Sequence, residues 1–391
     1  MLPRMDPTPL YHILHKTIRN LVPGKGRQRA AIEALRSAFF PLLLEDVRIS
    51  PEDAVQDGTA QKNILRSGLP LPPVATICED TPPPDMCCAE IHTHAPVEYL
   101  LEGGYAFRNF VLDRNLRFLA DPADANLYET NLYRANKNIR SLRPLYVNAD
   151  VIALNTTWTD NFYHWFADLI GHLLLLPAWE NKAVCADVRY PYQRETFQLL
   201  GIGPERIFAL SDYRLYRFKS LSLISVPRLW PDPHSLTALR ALSGRVPTLP
   251  GERNLPRRLY ISRGDRPDRR ALDNEGELLP IFAEYGFTRV IFSAYPLEEQ
   301  IRMARNADFL VIPHGAAGIN LVFCPSGVRF LEIMSPLAPD GSSLCICQSF
   351  GIDYHLLRGG GGDEVSAAGS NQVSYSVDPQ ALRRALGRLT G

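Results

Sequence analysis

Residues 308–332 read DFLVIPHGAAGINLVFCPSGVRFLE, and this stretch decides the fold. Phe309 to Ile312 is apolar on both faces, as a central parallel strand requires. Pro313 ends the strand, because proline cannot donate to a sheet ladder. Gly315 and Gly318 bracket Ala316 and Ala317, so bare backbone can approach a ligand closely. Ala316 to Phe323 is predicted to be a short helix whose first amides face the strand's carboxyl end. Such a terminus suits a phosphate or diphosphate. A second strand, Val328 to Ile333, carries Glu332 at its own end. A glycine turn alone also serves simple helix-on-sheet packing, so the rest of the chain must decide.

Working outward, the same strand-helix alternation recurs. Upstream lie a strand at Arg258 to Ser262 and a helix at Asn274 to Tyr285, with Asn274 and Glu277 spaced as a capping box. A strand at Thr288 to Phe292 follows, then a helix from Pro296 to Asn306 with proline in its first turn. Downstream, a helix at Ser342 to Phe350, a strand at Tyr354 to Leu357 and a helix at Asp378 to Leu389 complete the series. Pro247 to Pro256 (PTLPGERNLP) reads as an interdomain linker. Before it runs another βα series. Its strands are Val151 to Asn155, Val184 to Val188, Ile207 to Leu210 and Leu221 to Val226. Its helices are Asn161 to Leu176, capped by Asp160, Pro191 to Leu200, stopped by Gly201, and Ser235 to Ser243. The pattern predicts a mainly parallel sheet in each half. Earlier still, YAFRNFVL (105–112) and Leu116 to Leu119 read as the two strands of a hairpin. Leu10 to Leu21 and Arg27 to Leu44 read as helices. The organisation is a helical extension over 1–68, α/β domains over 69–246 and 257–377, and a closing helix over 378–391. A ligand would sit at the carboxyl ends of the strands, between the two halves.

Composition narrows the function. The 391 residues carry 42 Lys+Arg and 42 Asp+Glu, and that balance argues against a nucleic-acid binder held by bulk charge. The seven cysteines lack zinc-site spacing, and we read them as reduced thiols of a cytoplasmic protein. The first residues show no secretory leader, and no apolar run reaches membrane-spanning length. Basic residues between His15 and Arg29 would allow peripheral membrane contact, although a solvated basic face is the better explanation. No HExxH, GxSxG, Walker A or dinucleotide fingerprint occurs. No Asp-x-Asp pair stands at a strand end, so no metal is expected.

Three constellations carry chemistry. In NFYHWFAD (161–168), His164 and Asp168 lie one helical turn apart, so the carboxylate can fix one imidazole tautomer. Asn161 and Trp165 flank this pair. In YISRGDRPDRR (260–270), Ser262 and Arg263 stand at a strand end. Arg270 and then Glu275 follow toward a helix start, and clustered guanidiniums can grip a diphosphate. In the opening stretch, His314, Gly315, Ala316, Ala317, Gly318, Asn320 and Glu332 form the third group, with Glu332 placed to accept from a ribose diol.

Together NFYHWFAD, YISR, the Asn274-Glu275 pair, EEQIRMARNADFLVIPHGAAGINLVF (298–323) and FLEI (330–333) resemble glycosyltransferase family 61, the capsular-polysaccharide-biosynthesis type. The resemblance covers roughly residues 155–335. It implies a GT-B-like fold, two Rossmann-like domains facing a cleft, and inverting transfer without a metal cofactor. By carry-over, Ser262, Arg263, the 314–318 turn and Glu332 would contact the donor's nucleotide diphosphate, and His164 would face a glycan or glycolipid acceptor. The implied setting is surface-polysaccharide assembly on the cytoplasmic face of a membrane. Two alternatives stay open: a different polysaccharide-modifying transferase, such as a pyruvyl transferase, and a non-catalytic nucleotide- or glycan-binding subunit.

Overall fold

The computed structural model describes residues 48–65, 70–71, 77–78, 91–92, 96–119, 141–154, 159–211, 213–224, 231–266, 270–335, 341–360 and 374–390, with isolated residues elsewhere before 140. The helices expected at Leu10 to Leu21 and Arg27 to Leu44 lie largely outside this set, as does Cys87-Cys88.

Two sheets organise the chain. The C-terminal sheet has six parallel strands in the order Thr288–Val290, Arg258–Ile261, Phe309–Pro313, Arg329–Met334, Asp353–Arg358 and Ile77–Cys78. The strand from the opening stretch is therefore internal, and all five of its residues are buried. Alternate side chains leave it in opposite directions. Leu310 and Ile312 enter the core between the sheets, whereas Phe309 and Val311 pack beneath the Glu275–Glu284 and Pro379–Thr390 helices. Ile77–Cys78 reaches this sheet from far upstream, pairing with His355 and Leu356.

The N-terminal sheet is mixed rather than mainly parallel. Leu145–Leu154, Tyr216–Ile224, Ala183–Ala186 and Ile207–Ala209 form its parallel part. Val97–Glu102 and Tyr105–Phe107 then join Tyr216–Ile224 antiparallel. YAFRNFVL is not one strand. It folds back between Phe107 and Phe110, where Arg108 takes a φ of 52°, so that Tyr105–Phe107 pairs with Phe110–Leu112.

One continuous apolar core lies between the two sheets. Trp165, Phe166, Ile170 and Leu173 from the N-terminal half meet Ile319, Leu321, Ile346 and Leu310 from the C-terminal half. Polar contacts pin the same boundary. Arg240 donates to the Cys324 carbonyl at 2.7 Å and lies over the Phe350 ring. Glu195 accepts from the Leu297 amide at 2.8 Å and so caps a helix of the other half. The 247–256 linker is a strap rather than loose chain. Its Glu252 is buried and receives Arg305 Nε at 2.5 Å, Arg305 Nη2 at 2.6 Å and Asn306 Nδ2 at 2.8 Å.

Several local expectations are corrected. Asn161, not Asp160, caps the Phe162–His164 turn, accepting from the Tyr163 amide at 2.9 Å. Asn274 heads the Glu275–Glu284 helix but makes no side-chain cap; it holds the Val377 backbone instead, donating at 2.8 Å and accepting at 3.1 Å. Pro296 is the N-cap residue of Leu297–Asn306 rather than its first residue. Ala316–Phe323 is a 3-10 helix. The four cysteines described as free, Cys185, Cys324, Cys345 and Cys347, are all buried.

Candidate active site

The segment carrying His164 is not a uniform α-helix. Phe162–His164 is α, Trp165–Ile170 widens to a π-helix, and Gly171–Leu173 returns to α. Such widened turns are frequent at functional sites. His164 Nδ1 lies 2.6 Å from Asp168 Oδ2. The imidazole is 34% exposed and the carboxylate 16% exposed, so the pair opens toward solvent from a packed base. Trp165, expected on the acceptor side, is fully buried and donates to Thr196 Oγ1 at 3.2 Å, so its role is in the core. Beneath the pair, His172 is buried, with Nδ1 2.8 Å from the Asp168 carbonyl, and desolvation pushes its pKa down.

The Phe162–His164 turn packs directly against Ala316–Phe323. The histidine segment and the glycine turn, separate in sequence, therefore meet. At the turn, Gly315 has an extended backbone (φ 167°), so left-handed geometry is not why glycine stands there. A Cβ at Gly315 would lie 1.7 Å from Arg263 Nη1. The bare backbone thus makes room for the guanidinium, which also donates to the His314 carbonyl at 3.2 Å. Gly318 donates to the Gly315 carbonyl at 2.9 Å, leaving the amides of Ala316 and Ala317 at the segment's open end. Asn320 is fully buried; its amide donates to the Ala317 carbonyl at 3.1 Å and its buried Oδ1 has no partner.

Glu332 is turned into the protein. It is 1% exposed, and one oxygen receives His314 Nδ1 and Ser343 Oγ, both at 2.8 Å. Tyr354 OH donates to the other oxygen at 2.8 Å. The carboxylate's structural effect is to orient His314, which is itself buried. Ser262 and Glu275 likewise engage each other, at 2.5 Å. Burial opposes ionisation of Glu275, but hydrogen bonds from Ser262, Tyr260 and Arg289 hold its carboxyl below the ordinary range. Tyr260, Arg289, Ser343 and Tyr354 thus support the site. Only spatial pairing across strands reveals that role, and the sequence carries no local mark of it.

Two arginines converge at the carboxyl end of this sheet. Burial first, and then the like charge of Arg270, push the Arg263 guanidinium below its ordinary value. Arg270 sits in a left-handed conformation (φ 51°), and its buried Nε has no partner. Tyr375, whose hydroxyl donates to the Ile333 carbonyl at 2.9 Å, is within electrostatic reach of both arginines. Two like charges held close together at a strand end, beside open backbone amides, would be relieved by a polyanion. Among the described residues no group of three His, Cys, Asp or Glu side chains could hold a metal ion, and no helix is long and apolar enough to cross a membrane.

Comparison with known proteins finds similarity over the same part of the chain. The chain is 29% identical over 219 residues to the EGF domain-specific O-linked N-acetylglucosamine transferase of Drosophila melanogaster, a match covering 48% of this chain. The match spans only 41% of that relative's length. The family model described as Glycosyltransferase 61 matches residues 162–331, a span that begins one residue after Asn161 and ends one residue before Glu332. The matched residues 162–331 thus hold both His164 and the glycine turn, and over that span the chain is similar to the glycosyltransferase 61 family.

Proposed function

We propose that this chain is an inverting, metal-independent glycosyltransferase that moves a sugar from a nucleotide-sugar donor to a glycan acceptor. In this reading the two halves form a GT-B arrangement, with donor and acceptor on facing sides. The observation that carries the reading is the packing of the Phe162–His164 turn, whose His164 lies 2.6 Å from Asp168, against the Ala316–Phe323 segment that follows the glycine beside Arg263. With Nδ1 held by Asp168, His164 takes the acceptor hydroxyl proton on Nε2. The acceptor oxygen then attacks the anomeric carbon from the face opposite the donor's C1–O bond. That bond breaks, and its electron pair leaves on the diphosphate. Arg263, Arg270 and the amides at Ala316 and Ala317 stabilise the departing charge, which is electrostatic catalysis.

The proposed setting is surface-polysaccharide assembly at the cytoplasmic side of a membrane. The fly relative is an N-acetylglucosamine transferase, which makes N-acetylglucosamine the first donor sugar to test. The experiment is a nucleotide panel (UDP, GDP, CMP) in thermal melts, followed by turnover with the matching sugar nucleotides. Stabilisation by one of these nucleotides and its release from the matching donor support the proposal. Indifference to the whole panel would refute it and favour a donor such as phosphoenolpyruvate.

A further inference from the structure

We infer that Tyr190 is a fixed aromatic platform for the sugar ring of the acceptor, an inference that rests on the transferase reading above. Arg189 and Tyr190 follow the Ala183–Ala186 strand and precede the Pro191–Leu200 helix, so they lie at the carboxyl edge of the N-terminal sheet. Asn161 stands at that same edge, after the neighbouring Leu145–Leu154 strand.

The loop is held in place. Gln193, 1% exposed, accepts from the backbone amides of both Arg189 and Tyr190 at 2.8 Å. Its own amide donates to the Thr159 carbonyl at 3.0 Å. One buried side chain therefore ties the Tyr190 loop to the loop that leads into His164. The rings continue the connection. Tyr190 stacks on Tyr192 with centroids 5.7 Å apart and planes 7° apart. Tyr192 meets Phe162 edge-on at 5.1 Å, and Tyr163 meets His164 at 5.5 Å.

Tyr190 nonetheless remains 39% exposed. A large aromatic side chain that is partly in solvent while its ring is already stacked on Tyr192 has less rotamer entropy left to lose on binding than a free one. Charged groups lie beside it: Arg189, within electrostatic reach of Tyr190, pairs with Asp187 at 2.5 Å, and Asp160 lies within electrostatic reach of Arg189 and Tyr192. An apolar ring face with a rim of carboxylates and a guanidinium matches a pyranose, whose C–H face is apolar and whose edge carries hydroxyls. A nucleobase would match the face but gain less from a mixed-charge rim.

The test is saturation-transfer NMR on the full chain. The probes are methyl β-D-glucopyranoside, methyl N-acetyl-β-D-glucosaminide, UDP and a serine/threonine-containing peptide. The expected result is transfer to the ring C–H protons of at least one glycoside. Tyr190→Ala should weaken that glycoside about five- to tenfold, Tyr190→Trp should retain it, and UDP affinity should stay within about twofold. Because Tyr190 is exposed, an unchanged melting temperature checks folding. Glycoside signals that are absent in the wild type, or unchanged in Tyr190→Ala, overturn the platform. So do loss of UDP along with the glycoside, and transfer to the peptide alone. Glycoside binding that depends on Tyr190, with no nucleotide binding at all, supports the platform and sinks the transferase reading instead.

Discussion

Gly315→Ala offers a clean probe of the glycine turn. The backbone there is extended, so alanine carries no conformational penalty. The new methyl would instead fall 1.7 Å from Arg263 Nη1 and 2.9 Å from its Cζ, well inside van der Waals contact. The guanidinium must leave, and with it goes the donation to the His314 carbonyl at 3.2 Å. Overpacking of this kind costs about 1–3 kcal/mol, and a hydrogen bond from a charged group contributes about 1.5–3 kcal/mol. If Arg263 then grips a diphosphate no better than an absent side chain would, nucleotide affinity falls roughly 10- to 150-fold. The assay is a double-mutant cycle of Gly315→Ala with Arg263→Ala, read by denaturant melts and by titration calorimetry with UDP. In the Arg263→Ala background the methyl has room, so Gly315→Ala should then cost less than ~0.5 kcal/mol, giving a coupling of about 0.5–3 kcal/mol. Equal cost in both backgrounds would show that the glycine is needed for something other than the arginine, and the reasoning would fail.

Other perturbations test the remaining parts. His164→Ala should lower turnover about 10²- to 10⁴-fold with UDP binding retained, and Asp168→Asn should cost less; steady-state kinetics beside calorimetry decides this. Acid should destabilise the fold in two windows. Desolvation depresses the folded pKa of His172 below 6.5, so the unfolded chain takes that proton first, and stability declines as pH falls through and below about 6.5. Hydrogen bonding by Arg305 lowers Glu252 from 4.5 to about 2, so stability present above pH ~4.5 is lost as pH falls toward about 2. Melting temperature against pH should show both declines, and Glu252→Gln should flatten only the lower one. Asn274→Ala removes both bonds to Val377 and should destabilise by about 1–3 kcal/mol, with faster proteolysis before the Pro379–Thr390 helix.

The parallel strands were legible wherever burial on both faces left an unbroken apolar run, as at Phe309 to Ile312. The 164–168 pairing was legible from its spacing alone, because two residues one turn apart meet in most helical geometries. The π-helix between them was not, since an extra residue per turn leaves no compositional trace. At YAFRNFVL the turn was hidden because Arg108 takes a positive φ without glycine or asparagine to mark it. At Asn274 the capping pattern was present, but a tertiary contact to Val377 outcompeted the local one. Trp165 was misplaced for a related reason. A tryptophan beside a polar pair suits a ligand wall as well as a core, and only the position of Thr196 settles which. Glu332 was found as the acid at the strand end. That Ser343, Tyr354 and His314 enclose it depends on three chain segments that sequence reading treats separately.

The shared core between the sheets also bears on what keeps the chain in one piece. Residues 247–251 are exposed, whereas Glu252 beside them is anchored to the Leu297–Asn306 helix. A protease nick in that exposed run would break covalent continuity without removing the apolar layer, the Glu195 cap or the Arg240 contact. The two fragments should therefore stay together through gel filtration and separate only in denaturant. Made as separate polypeptides, each would present the apolar face it normally gives to the other, so the halves should be insoluble alone and recoverable only when produced together.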